Sequence, residues 1–214
     1  MIAKGSNPVL ERVRQSLNRE AGSPLSARPP VLPPRRSGST DMEIDLLVSE
    51  INKLAGSASR ISCDVIGEHL AELVKTYEIK KAMIWDTDWL RELGVIDHLR
   101  SLGVEIIPNQ AGVQALAQCD LGITEVDFAL PETGSLGLLS SLERPRAVSL
   151  LPRVHLALVH PRTLCSDLQE VFTQAKNHKY LILITGPSRT SDIELTVTLG
   201  VHGPKSLNVW VCDL

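Results

Sequence analysis

Apolar residues recur at helical spacing in DMEIDLLVSEINKLAG (41–56) and again in IGEHLAELVKTYEI (66–79), so each predicts an amphipathic helix. KAMIW (81–85) is a short apolar run and predicts a buried strand. DWLRELGVIDHLRSLG (88–103) predicts one helix stopped by Gly103, VEIIP (104–108) the next strand, and AGVQALAQ (111–118) a short helix. CDLGITEV (119–126) returns the chain to the sheet. Short apolar strands alternating with amphipathic helices predict a mostly parallel sheet covered by helices, an α/β Rossmann-like layer structure.

The pattern changes after Asp127. In FALPETGSLGLLSSLERPRAVSLLPRVHLALVH the apolar pieces are separated by glycine or proline turns, with no room for a crossover helix each time. Leu136–Leu139, Ala147–Leu150 and His155–Val159 are therefore expected as strands on tight connections, including a small hairpin extension. TLCSDLQEVFTQAKNH (163–178) predicts a helix, YLILITG (180–186) a core strand and SLNVWVCDL (206–214) a last strand. Residues 7–20 predict a short N-terminal helix, and AGSPLSARPPVLPPRR (21–36) follows it. Proline fixes φ and removes the amide donor, so that segment is an arm or linker, with Arg35 and Arg36 read as solvated rather than as ligand contacts. The expected organisation is a helix and proline-rich arm over 1–39 and a single α/β domain over 40–214.

Composition narrows the functional classes. A chain of 214 residues that is 43% apolar can bury one good core. A net charge of −3 gives no electrostatic case for nucleic acid, which is bound through concentrated positive charge. No apolar run approaches the roughly 18 residues that a membrane-spanning helix needs. The N-terminus turns charged where a signal peptide would need its apolar stretch, so a cytoplasmic location is expected. Cys63, Cys119, Cys165 and Cys212 form no closely spaced pair. They are expected as reduced thiols, with no metal site.

Two polar stretches carry candidate chemistry. In GPSRTSDIELTVTLGVHGP (186–204), Ser191 and Glu194 match a capping box, which predicts a helix from Asp192 to a stop at Gly200. The alternation of Ile193, Leu195, Val197 and Leu199 reads equally as a strand, and the helix is preferred because the cap would otherwise be idle. Gly186, Ser188, Arg189, Thr190, Ser191 and Asp192 would then lie between a strand's carboxyl end and a helix's positive end, where anions bind. Arg189 would add a phosphate or carboxylate fork, or else pair internally with an acid such as Glu132. His202, between Gly200 and Gly203–Pro204, is a candidate proton donor or acceptor, or a structural turn residue. The second stretch, Glu132, Thr133, Gly134 and Ser135, offers an acid, two hydroxyls and free backbone amides. The two are expected to share one pocket, with His202 at its wall. There is no GxGxxG, P-loop or nucleophile elbow.

TEVDFALPETGSL, RAVSLLPRVHLALV and GPSRTSDIE followed by GVHGP together resemble the LUD-domain family, most closely its lactate utilization protein C branch, over residues 45–214. The resemblance implies a three-layer α/β/α fold of the ribose-5-phosphate isomerase and CoA-transferase type. It places the family's site loops on Glu132 to Ser135, on Gly186, Pro187, Ser188, Arg189, Thr190, Ser191, Asp192, Ile193 and Glu194, and on Gly200, Val201, His202, Gly203 and Pro204. It also implies a part in oxidising L-lactate to pyruvate beside iron–sulfur proteins, with iron–sulfur or flavin cofactors in those partners and none in this chain. Larger relatives carry a cysteine-rich cluster-binding extension that this sequence lacks. Two alternatives stay open: an isomerase or acyl-transfer enzyme using Glu132 or His202, and a metabolite-sensing regulator.

Overall fold

The computed structural model describes residues 8–20, 37–191, 197–200 and 202–213. The chain divides into two compact units, Met1–Pro33 and Pro34–Leu214. The first contains α1 (Pro8–Ser16).

The second unit opens with α2 (Thr40–Lys53), whose first turn is capped by the Ser39 side chain accepting from the Met42 amide. It continues through β1 (Ser57–Ser62), α3 (Ile66–Tyr77), β2 (Lys81–Ile84), α4 (Asp88–Glu92), α5 (Val95–Ser101), β3 (Glu105–Ile106), α6 (Val113–Leu116) and β4 (Leu121–Glu125). Then follow β5 (Phe128–Leu130), β6 (Ser135–Ser140), α7 (Ala147–Leu150), β7 (Val154–Val159), α8 (Leu168–Ala175), β8 (Tyr180–Ile184), β9 (Arg189–Ser191), β10 (Val197–Leu199) and β11 (Ser206–Asp213). Six strands form one sheet in the order β1-β11-β7-β4-β2-β3, and every neighbouring pair is parallel. The central strand β7 is buried along its whole length, as a parallel strand covered on both faces must be. A second, antiparallel sheet, β5-β6-β8, is the hairpin extension. The result is the Rossmann-like α/β layer structure that the hydrophobic pattern predicts, in the three-layer form that the family resemblance implies.

Several elements differ from their sequence expectation. β1 (SASRIS) is an edge strand with a single fully buried side chain, Ile61, too polar to register as a strand. The 88–103 helix is two helices, because Gly94 takes the left-handed conformation at φ 62°. Ala147–Leu150 is a helical turn rather than a strand. YLILI is a strand at the edge of the small sheet, with Tyr180 and Leu183 exposed, and not part of the parallel core. The helix expected from Asp192 to Gly200 does not hold at Val197–Leu199, which is a strand paired antiparallel with Arg189–Ser191. At Val197–Leu199 the period-two reading prevails over the local cap signal. Asp192, Ile193 and Glu194 themselves lie outside the described residues.

Candidate functional site

The antiparallel register of β6 with β8 sets Leu136 opposite Ile184. The Glu132–Ser135 loop at the start of β6 and the Gly186–Arg189 segment after β8 therefore share one end of the small sheet. A chain of hydroxyls joins them: Thr133 Oγ1 donates to Ser135 Oγ at 2.9 Å, and Ser135 Oγ lies 2.7 Å from Thr185 Oγ1. Both loops also close on the carboxyl end of α2. Gly134 has φ 60°, and a Cβ there would stand 2.9 Å from the Ile51 nitrogen. Gly186 has φ 82°, and its Cβ would stand 3.0 Å from the Leu54 oxygen. Only glycine meets both the positive φ and the close backbone. Arg189 donates to that same Leu54 carbonyl, the C-cap of α2.

The concave feature lies beside this joint. β8 crosses the face of the parallel sheet that carries His155 and Leu207, residues paired in the β7–β11 register. Between them and the Gly186–Ser188 and His202–Pro204 turns is a cleft of about 170 Å³, edged also by Ser149 and Thr185. The turns are tied together: the Ser188 amide donates to Pro204 O at 3.0 Å, and the Gly200 amide to Ser188 O at 2.9 Å. His202 is exposed at the rim. His155 is 1% exposed, and its Nε2 lies 2.9 Å from Thr124 Oγ1. Burial pushes its pKa down to about 3, so the ring is neutral. No arginine, lysine or carboxylate lines the cleft among the described residues. It can offer hydroxyl, amide and imidazole hydrogen bonds, and no charge clamp.

Of the residues expected in one pocket, Gly186, Ser188 and His202 line the cleft with Pro187. Thr133 and Ser135 reach it only through Thr185, and Gly134 is buried against α2. Glu132 is exposed on the 3-10 turn after β5, outside the lining. Arg189 caps α2 and does not line the cleft, and among the described residues no acid pairs with it. Thr190 and Ser191 contribute backbone to β9, and Asp192 lies outside the described residues. The cleft does not follow a carboxyl end of the parallel sheet either, since His155 and Leu207 are the second residues of their strands. The sequence reading missed Ser149, His155 and Thr185. A lone histidine inside the apolar run VHLALV was the available signal for His155.

The opposite, carboxyl edge of the parallel sheet holds a packed polar network. Asp127, just past β4, accepts from the Leu139 amide at 2.7 Å and from Arg144 at 2.8 Å. The Arg144 guanidinium lies over the Trp85 ring at 4.3 Å. Burial raises the Asp127 pKa despite both donors. All four cysteines are free thiols. Burial pushes Cys165 up to about 11 and Cys212 up to about 12. No group of three or more His, Cys, Asp or Glu side chains is placed to hold a metal among the described residues. Nor is any of their helices long and apolar enough to cross a membrane.

The parallel sheet, its antiparallel extension and the joined Glu132–Ser135 and Gly186–Arg189 loops define the class of this domain. The chain belongs to the LUD domain family, whose model matches residues 44–211. Two relatives are each called lactate utilization protein C. The one from Halalkalibacterium halodurans is 27% identical over 177 residues, covering 78% of this chain and 77% of its own. The one from Shouchella clausii is 27% identical over 222 residues, covering 95% of each. Among solved structures, a DUF162 family protein from Deinococcus radiodurans matches with a TM-score of 0.57 at 17% identity, over 83% of this chain and all of its own. That likeness concerns the fold.

Proposed function

We propose that this chain serves a lactate utilization system as a ligand- or partner-binding subunit with no redox cofactor of its own. The system is taken from the relatives called lactate utilization protein C, one of which aligns over 95% of both chains. The observation that carries a binding role is the cleft between Gly186–Ser188 and His202–Pro204. At about 170 Å³ it is smaller than the ~300–1,000 Å³ sites of drug-sized ligands. It suits a small hydroxylated carboxylate held by the hydroxyls of Thr185 and Ser188. The cysteine spacing supports the cofactor-free half of this reading: Cys63, Cys119, Cys165 and Cys212 form no closely spaced pair of the kind that cluster sites use. Iron–sulfur or flavin groups then belong to the partner proteins, and the subunit works in the cytoplasm beside them. Of the two residues named for the isomerase or acyl-transfer alternative, Glu132 stands outside the cleft and His202 lines its rim.

Deleting the gene in its native host tests this. Growth on L-lactate as sole carbon source should fail while growth on glucose persists. Wild-type chain and Glu132→Gln should restore lactate growth, and Ser188→Leu, which fills the cleft, should not. Intact lactate growth after deletion overturns the proposal. A folded Glu132→Gln chain that fails to restore growth replaces it with the acyl-transfer reading.

A further inference from the structure

A second cavity, of about 260 Å³, lies between α3 and the β1–β11 edge of the parallel sheet. The parallel register sets Ser57 beside Asn208 and Ser59 beside Trp210, so these four side chains share one face. Above them α3 presents His69, Glu72, Leu73 and Thr76, spaced i, i+3, i+4 and i+7 and therefore on one helix face. A helix stripe facing a sheet is ordinarily apolar. α3 keeps such a stripe in Ile66, Leu70 and Leu73, and the face turned to this cavity is the polar flank beside it, His69, Glu72 and Thr76 over Ser57, Ser59 and Asn208.

Asn208 is the buried polar member of this face. It is 5% exposed, and its Nδ2 has no hydrogen-bond partner. A buried donor left unmatched is costly, and such groups in folded proteins almost always meet a protein, water or ligand acceptor. The Asn208 side chain lines this cavity. One end of the cavity is closed by Tyr77, whose hydroxyl lies 2.8 Å from Ser206 Oγ. On its wall the Trp210 and His69 rings meet at 5.7 Å between centroids. Among the described residues no lysine or arginine lines it, and Glu72 is its only carboxylate.

We propose that this cavity between α3 and the β1–β11 edge is a binding site for an uncharged, hydroxyl-rich small molecule, a monosaccharide or polyol. Asn208 Nδ2 supplies a donor for a ligand oxygen, and Glu72 accepts a ligand hydroxyl. Ser57, Ser59 and Thr76 can do either, and the Trp210 ring offers an apolar face for ligand carbons. An anion would meet the Glu72 carboxylate with no lysine or arginine in the lining to offset it. An ammonium would leave the Asn208 donor facing positive charge. The site is separate from the cleft near Ser188, because Leu207 and Asn208 point to opposite faces of the sheet.

The test uses the full-length, 15N-labelled chain, following the Asn208 side-chain amide and the Trp210 indole N–H by NMR. The probes are D-glucose, D-ribose, myo-inositol and glycerol, with L-lactate and sodium phosphate as charged comparators. At least one neutral probe should shift both signals saturably, and Glu72→Gln and Asn208→Leu should each weaken that binding by about tenfold or more. The comparators should leave both signals unmoved. Should Asn208→Leu not fold, Glu72→Gln decides alone, since Glu72 is exposed and bears on no core contact. No saturable shift with any neutral probe would mean a pocket that holds water only, and overturns the proposal. So would binding that Glu72→Gln leaves unchanged, or an Asn208 signal that responds to lactate or phosphate.

Discussion

Leu207 and Asn208 are adjacent residues of β11, and the pleat sends them to opposite sides of the sheet. On the Leu207 side lie His155, α7 and the small sheet. A buried titratable group there, His155, is neutral and bonded to Thr124. On the Asn208 side lies α3, and the buried polar group is an amide with an unpartnered donor. Both faces hide a polar side chain. One has its hydrogen bond made within the protein and the other does not. Burial of a polar residue thus does not by itself mark a site; the balance of its hydrogen bonds does.

The largest break in this contrast should come from Gly122→Ala. Gly122 pairs with His155 in the β4–β7 register, and a Cβ there would stand 1.9 Å from the Val148 carbonyl oxygen and 3.0 Å from Pro152. Backbone cannot yield as a flexible side chain does, so α7 must shift. The expected loss is about 3 kcal/mol or more in a urea titration. Ser59→Ala, on the open α3 side, should cost less than about 0.5 kcal/mol. Equal losses would show that the two faces are packed alike.

His155 should separate the faces by pH. Its folded pKa, about 3, lies below the ordinary 6.5, so between those values the unfolded chain binds the extra proton. Stability from this group is therefore complete above pH 6.5 and falls as pH drops toward 3, by about 1.4 kcal/mol per pH unit. His155→Gln, which keeps a bond to Thr124 within reach, should flatten the slope of urea midpoint against pH by that amount. An unchanged slope would mean that His155 can charge in place, through water reaching it from the cleft.

The parallel core was legible where burial enforces periodicity, as in KAMI and LGIT; VHLALV was legible as a strand but was expected on tight connections after Asp127, and it lies at the centre of the parallel sheet. β1 was not, since its contribution is backbone pairing to β11, and SASRIS carries little apolar signal. The region after β8 failed for another reason. Ser191 and Glu194 spell a local helix start, whereas the pairing of Val197 with Ser191 is a relation between segments that no local motif reports. The site was legible in part. That the Glu132–Ser135 and Gly186–Arg189 loops belong together could be argued from their polar chemistry, and Ser135 and Thr185 do meet. That they meet over the end of α2 could not, because the partners there are backbone atoms of Glu50 to Leu54, which any sequence supplies. His155 and Asn208 were hidden for the same reason: each sits inside an apolar strand, and which face it takes depends on register.

The smallest effect on the Leu207 side, and the one that separates scaffold from site there, should come from Arg189→Ala. The guanidinium donates to Leu54 O, where the last carbonyls of α2 lack helical partners and carry partial negative charge. Arg189 is exposed, so the bond is screened by water, and its loss should cost about 0.5–1 kcal/mol. The loss should be local. Amide exchange at Leu54, Ala55 and Gly56, which bond back to Glu50, Ile51 and Asn52, should speed up, while the amides of β7 should not change. An L-lactate titration followed at Ser188 and His202 should give the same midpoint in wild type and variant, because Arg189 does not line the cleft. Were Arg189 instead an anion clamp, the order would reverse: lactate binding would weaken severalfold, and exchange at the end of α2 would stay as it was.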